Sequence, residues 1–342
     1  MDMRPSFNGT DMVNTRSSRE SRYGRGRGAI GDSSVPQARR GSLPERAGRA
    51  GVEEQAPTPA QRRRSRLANR YLLASDFDRT LSFNDSGRVL ADLIGVGDFE
   101  EKIAELAQEN FVQQGAELTY LLVHDPEFKG ARREHLVQAG KGAHLKDNVE
   151  LFPRLLNEIS DEHEFVFFVI SAAPREVVES ALEGIVAPER IFGTEFQYDA
   201  DGRIVDVKHS TAGYGKVAVV DRLREERNIS RDRIIYVGDG SSDIHVMLHV
   251  NRLEGLTIAV SENQYIRQVA RRIVLSDDAL AVVVPILEEV FGWDRAQIQT
   301  YLESEGFLVR EWEKLQTDTL VLRATEPGES EEVEVGEAQR GE

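Results

Sequence analysis

The chain has 342 residues, 40% hydrophobic and 30% charged, with no cysteine and a net charge of −16. The lack of cysteine excludes disulfides, thiolate nucleophiles and Cys-ligated zinc, and it fits a cytoplasmic protein. No apolar run approaches the roughly 18–20 residues that cross a bilayer, and no apolar signal segment opens the chain. Residues 1–70 carry +8 and the remainder −24. The acidic body therefore does not read as a nucleic-acid binder, and an anionic substrate would need a local cationic site.

Residues 1–66 are rich in Arg, Gly, Ser and Pro and hold only six Phe, Val, Ile or Leu. That is too little apolar surface to offset the entropy of ordering, so the segment reads as a disordered arm. Its stretch Arg22-Tyr23-Gly24-Arg25-Gly26-Arg27-Gly28 reads as a solvated tail, with weak contact to RNA or an anionic surface as the alternative.

The first strand is expected at Tyr71 to Ser75, a short apolar run bounded by charge. Residues 86–160 are helix-like, with Val89, Leu90 and Leu93 on one stripe and Ile103 and Leu106 on another. Glu164 to Ile170 is the second strand, and Pro174 opens a helix carrying Val177, Val178 and Leu182. Arg190 to Phe192 reads as a short strand. Phe196 to Val207 alternates around Asp199-Ala200-Asp201-Gly202 as a hairpin. A helix over Lys216 to Glu226, strands over Arg233 to Val237 and Leu256 to Val260, and helices around Met247 and Val284 follow.

Strands alternating with helices define an α/β fold, a doubly wound parallel sheet. The core takes residues 70–85 and 150–291, with 86–149 inserted as a helical cap. Residues 292–323 form an extension in which Trp293 to Glu303 suits a helix, and the Glu-rich residues 324–342 read as a disordered acidic tail.

Ligands of open α/β sheets collect at the carboxyl ends of strands. There the sequence delivers Asp76-Phe77-Asp78-Arg79-Thr80-Leu81, Ser171-Ala172-Ala173-Pro174, Gly215-Lys216 and Gly238-Asp239-Gly240-Ser241-Ser242-Asp243. Several carboxylates crowded together repel one another unless a cation intervenes. An all-oxygen donor set favours a hard ion such as Mg²⁺. A Lys and a Ser suit phosphate oxygens, and a carboxylate held against phosphorus can attack it in line. Taken singly, each group has a blander reading. Asp76 and Asp78 suit a turn, Ser171 and Asp243 suit helix caps, and Lys216 has Lys208 as a competitor. His245 and His249, spaced i, i+4, lack a third ligand and read as helix surface.

Together the four segments, in this order, resemble the motifs of the haloacid dehalogenase (HAD) superfamily over about residues 70–290. The resemblance implies a Rossmann-like core with an inserted C1 cap, similar to the phosphoserine-phosphatase-like branch. It implies Asp76 as nucleophile and metal ligand, and Asp78 as general acid/base whose backbone carbonyl also binds metal. It implies Thr80, Ser171, Ala172 and Lys216 around the phosphate, and Asp239 on Mg²⁺, with Asp243 either a ligand too or a support behind the ligands. The expected activity is hydrolysis of a small phosphorylated metabolite through an aspartyl phosphate. Asp85 falls near the position of a substrate-sensing Glu in phosphoserine phosphatases. The chain departs from them at Ser171-Ala172-Ala173, where Ser-Gly-Gly is usual, and at Leu118-Thr119-Tyr120-Leu121, where an Arg grips the serine carboxylate. His124, Lys129, Arg132 and Arg133 are the cap residues expected to face substrate. Serine phosphate itself, phosphotransfer from the same aspartyl phosphate, and a non-enzymatic binding role are the alternatives.

Overall fold

The structure, a computed structural model, describes residues 69–109, 112–314 and 318–324. The arm expected over residues 1–66 and the acidic tail lie outside the described residues. Strand β1 (Arg70–Ser75) sends Leu72 and Ala74 into one apolar core and Leu73 into another. That two-sided burial is why its sequence is an unbroken apolar run. Four helices follow: α1 (Ser86–Ile94), α2 (Phe99–Glu109), α3 (Glu117–His124) and, after the short 3-10 turn Pro126–Gly130, α4 (Arg133–Lys141). Asp85 starts α1 by accepting from Gly87 N, and Gly95 ends it in the left-handed region at φ 83.

The chain then alternates strand and helix. It runs through α5 (Phe152–Glu158), β2 (Glu164–Pro174), α6 (Arg175–Ala181), β3 (Ile191–Tyr198), β4 (Ile204–His209) and α7 (Tyr214–Glu226). It continues through β5 (Ile234–Gly238), α8 (Ile244–Arg252), β6 (Leu256–Ala259), α9 (Gln264–Val269) and β7 (Arg272–Leu275). Helices α10 (Val283–Phe291) and α11 (Arg295–Ser304) and strands β8 (Phe307–Lys314) and β9 (Asp318–Ala324) complete it. The nine strands form one sheet in the order β4-β3-β2-β1-β5-β6-β7-β9-β8. Strands β3, β2, β1, β5, β6, β7 and β9 are parallel neighbours, with antiparallel β4 and β8 at the edges.

This is the doubly wound α/β sheet read from the sequence, with differences in detail. Strand β3 is continuous from Ile191 to Tyr198, where two pieces were expected. Gly193 joins them because a Cβ there would stand 2.5 Å from Arg175 Cα, so only glycine passes beneath the start of α6. Strand β7 and the β8–β9 hairpin have no counterpart in the sequence reading. The first is four residues opened by an arginine, and in the second the apolar runs are only three residues each, Phe307-Leu308-Val309 and Leu320-Val321-Leu322. The helix expected over Trp293 to Glu303 is α11.

Helices α1 to α4 occupy the stretch between β1 and β2. The segments entering and leaving them are laddered together: Phe83 N donates to His144 O (2.8 Å) and Lys146 N to Leu81 O (2.9 Å). Helix α4 lies so close to α6 that a Cβ on Gly140 would meet Val177 O at 2.1 Å. Among the described residues, no helix is long and apolar enough to cross a membrane.

Candidate active site

Strand β1 is the switch point of the sheet, with β2 on one side and β5 on the other. Ser75 is level with both Val169 and Val237, so Asp76, Ser171 and Asp239 emerge within two residues of the same height. They border a cavity of about 370 Å³, which also takes in Asp78, Ala172 and Ser242 and is roofed by residues of α1 to α3. Its size suits a small molecule.

Asp76 is buried at the base. Its Oδ1 accepts from Phe77 N (2.7 Å), and its Oδ2 lies 2.7 Å from Lys216 Nζ. Lys216, with no solvent exposure, also meets Asp243 Oδ1 at 2.6 Å and donates to Ser242 Oγ at 3.3 Å. Asp243 is saturated. Tyr236 Oη donates to Oδ1 at 2.7 Å, and the backbone N–H groups of Asp239 and Gly240 donate to Oδ2 at 3.1 and 3.2 Å. Asp78 accepts from Ser86 N and Ser86 Oγ, both at 2.9 Å. Thr80 Oγ1 stands 3.5 Å from Asp239 Oδ1, and Ser171 Oγ accepts from Ala173 N at 3.2 Å.

The carboxylates carry more negative charge than the site balances. Burial first, and then Asp243, push Asp76 up to about 6 despite Lys216. Burial, then Asp243 and Asp76, push Asp239 up to about 8. Burial, then Asp85, push Asp78 up to about 8. For Lys216, burial favours the neutral amine, but Asp243 and Asp76 outweigh it and hold the ammonium above its usual range. Asp76, Asp239 and Asp243 offer oxygens within 4.8 Å of one another. Three carboxylates against one ammonium leave a surplus that a hard divalent cation fits, and all the donors are oxygens.

Of the phosphate-side residues expected from the sequence, Ser171 and Ala172 line the cavity. Lys216 and Thr80 are buried, and Lys216 is spent on two aspartates and Ser242 instead of facing the open space. Asp85 lines the cavity and pairs with Arg79 at 3.3 Å. His124 and Arg132 correct the expectation. His124 packs against Tyr120 with the rings tilted, 4.6 Å between centroids, in a different cleft beside Lys102. Arg132 bridges to Arg203 of the β3–β4 turn, and its neighbour Arg133 pairs with Glu176 at 3.6 Å. The segment Ala131–Arg133 that leads into α4 is hydrogen-bonded to the hairpin, Arg133 N donating to Gly202 O (2.9 Å) and Ile204 N to Ala131 O (3.3 Å).

Several residues that line or support the cavity were not read from the sequence. Arg79 takes φ 56, a left-handed backbone rare outside glycine, and lines the cavity with Arg88. Tyr236 was read as part of an apolar strand, although a buried hydroxyl demands a partner and so gave a usable signal. Lys208, the competitor of Lys216, is exposed and pairs with Glu195 at 2.8 Å. His249 bonds Asp221 at 2.9 Å, and His245 stacks on Tyr214.

A doubly wound parallel sheet whose switch point gathers these aspartates defines an α/β protein with its site at the carboxyl ends of the strands. The family model for haloacid dehalogenase-like hydrolases matches residues 73–248, just over half of the chain. The protein belongs to that family. A solved substrate-bound phosphoserine phosphatase complex superposes with a TM-score of 0.52 at 20% identity, covering 64% of this chain and 98% of its own. A phospho-aspartyl intermediate analogue of phosphoserine phosphatase gives 0.52 at 21%, covering 64% and 99%. A probable phosphoserine phosphatase from Vibrio cholerae gives 0.51 at 17%, covering 70% and 68%. At these identities the likeness is one of fold. A comparison with curated proteins gives no match.

Proposed function

We propose that the protein is a Mg²⁺-dependent phosphomonoester hydrolase that works through an aspartyl phosphate on Asp76. One observation carries the reading. The Asp76 carboxylate borders the cavity while Phe77 N and Lys216 fix it from within, with Asp78 and Asp239 beside it.

In the first step an Asp76 oxygen forms a bond to phosphorus as the ester P–O bond breaks. Asp78 gives its proton to the departing oxygen, a task suited to a carboxyl raised toward neutrality by burial. A water then attacks the phosphorus of the aspartyl phosphate and yields its proton to Asp78, so inorganic phosphate leaves and Asp76 is restored. Ser171 Oγ and the backbone around Ala172 suit the phosphoryl oxygens from the β2 side, and Ser241 and Ser242 from the β5 side.

Asp76 and Asp239 would hold the Mg²⁺. Asp243, whose oxygens already accept four hydrogen bonds, would act by orienting Lys216 and the Asp239 backbone. Bound there, the ion would neutralise the surplus carboxylate charge and stabilise charge on the transferring phosphoryl group. Helices α1 to α4 are read as the cap that closes the cavity from water.

The test is phosphate release from p-nitrophenyl phosphate with Mg²⁺ or with EDTA, for wild type and Asp76→Asn. Release that needs Mg²⁺ and disappears in the variant supports the reading, and release that survives in Asp76→Asn rejects it.

A further inference from the structure

We infer that the substrate's leaving group carries an uncharged apolar body that lies along α2, so that aryl-alkyl or branched-alkyl phosphates are preferred over small charged ones such as an amino-acid phosphate. This rests on the phosphatase reading and specifies the other end of the same cavity. Helix α2 turns Phe99, Ile103, Ala104 and Ala107 toward that space. The spacing i, i+4, i+5, i+8 defines one continuous face of a helix. Leu118, at the start of α3, extends the apolar lining. Ala104 and Ala107 are small and exposed, which leaves room where larger side chains would fill the cavity.

The charged groups around this face are already matched. Arg79 pairs with Asp85 at 3.3 Å, and Arg88 pairs with Asp92 and with Glu100. Glu117, the other charged residue contributed here by the α1–α3 helices, is a carboxylate. Among the described residues, the lining therefore offers an incoming carboxylate no uncommitted cation, and it offers an apolar group a wall. The opposite edge of α2, with Glu105 and Leu106, faces the separate cleft beside Lys102.

The experiment compares kcat/KM of the full-length protein with Mg²⁺ for 2-phenylethyl phosphate, ethyl phosphate and phosphoserine. All three are alkyl esters, which limits differences in intrinsic reactivity. Wild type should favour the phenylethyl ester over both others by at least about tenfold. Ala104→Trp should remove most of that discrimination, and Glu105→Leu on the far edge should keep it. Ala107→Leu repeats the measurement if Ala104→Trp does not fold. Equal or better turnover of ethyl phosphate or phosphoserine by wild type overturns the inference and leaves the phosphatase reading standing. An equal loss on all three esters in the alanine variants overturns the placement along α2. No turnover of any ester overturns the phosphatase reading itself and the inference with it.

Discussion

Lys216 and Asp243 are both fully buried and meet at 2.6 Å, and the same ammonium holds Asp76 at 2.7 Å. Two carboxylates thus share one cation out of contact with water. Removing one partner of a buried ion pair leaves the other charge uncompensated, at a cost of roughly 3–5 kcal/mol. Lys216→Met should therefore lower unfolding stability by about that much in urea titrations, as well as abolish turnover. Adding Asp243→Asn should restore part of the stability and none of the activity. A Lys216→Met protein as stable as wild type would contradict this account of the pair.

Tyr236 tests the same network more gently. Its hydroxyl donates to Asp243 Oδ1 at 2.7 Å. Tyr236→Phe keeps the ring in the core and deletes one hydrogen bond to a charged acceptor, worth about 1.5–3 kcal/mol. Asp243 retains Lys216 and two backbone donors, so the variant should fold and lose activity partially. Stability and kcat unchanged from wild type would remove Tyr236 from the network.

The metal reading has a consequence independent of turnover. An ion that binds only the folded state stabilises it by about 2.7 kcal/mol at a hundred times its Kd. Mg²⁺ should raise the wild-type melting temperature and EDTA should reverse the rise. Asp239→Asn removes a ligand and relieves like-charge repulsion, so it should melt higher than wild type in EDTA and respond little to Mg²⁺. An undiminished Mg²⁺ response in Asp239→Asn would contradict the assignment.

Asp278 carries a pH prediction away from the proposed metal ligands. It accepts from Leu280 N (2.9 Å) and Asn148 Nδ2 (2.7 Å), yet burial, aided by Asp147 and Glu150, pushes it up to about 6 from 3.8. Between those values the folded state binds the proton that the unfolded chain has lost. Stability from this group is therefore greatest at or below about pH 4 and declines as pH rises to about 6, after which it is level. Urea unfolding at stepped pH should show Asp278→Asn gaining on wild type across that interval. Parallel profiles would refute the shift.

Residues at strand ends were legible because the chemistry and the local pattern coincide: Asp76, Ser171 and Asp239 each follow an apolar run, and Asp243 follows Asp239 by four residues. The partners of Lys216 were not, since whether it faces a phosphate or Asp243 depends on how α7 packs against β1 and β2. His124 and Arg132 were misplaced for a related reason. Position between β1 and β2 did not show that the helix carrying His124 packs against β4, or that the backbone around Arg132 is laddered to the β3–β4 turn. Ile103 was visible as part of an apolar stripe, yet only the packed helices separate it from Leu106, which borders the other cleft. Gly193 shows the same limit within a strand, where continuity depended on a contact with Arg175 distant in sequence.

In the proposed mechanism the phosphoryl group passes through Asp76. The most direct measurement is mass spectrometry of peptides from protein quenched in acid during turnover of p-nitrophenyl phosphate with Mg²⁺. The account predicts one added phosphoryl group on the peptide containing Asp76, absent in Asp76→Asn and accumulating in Asp78→Asn, where water activation fails. Turnover with no phosphoryl group on that peptide in wild type or Asp78→Asn, or with the group on another residue, would contradict it.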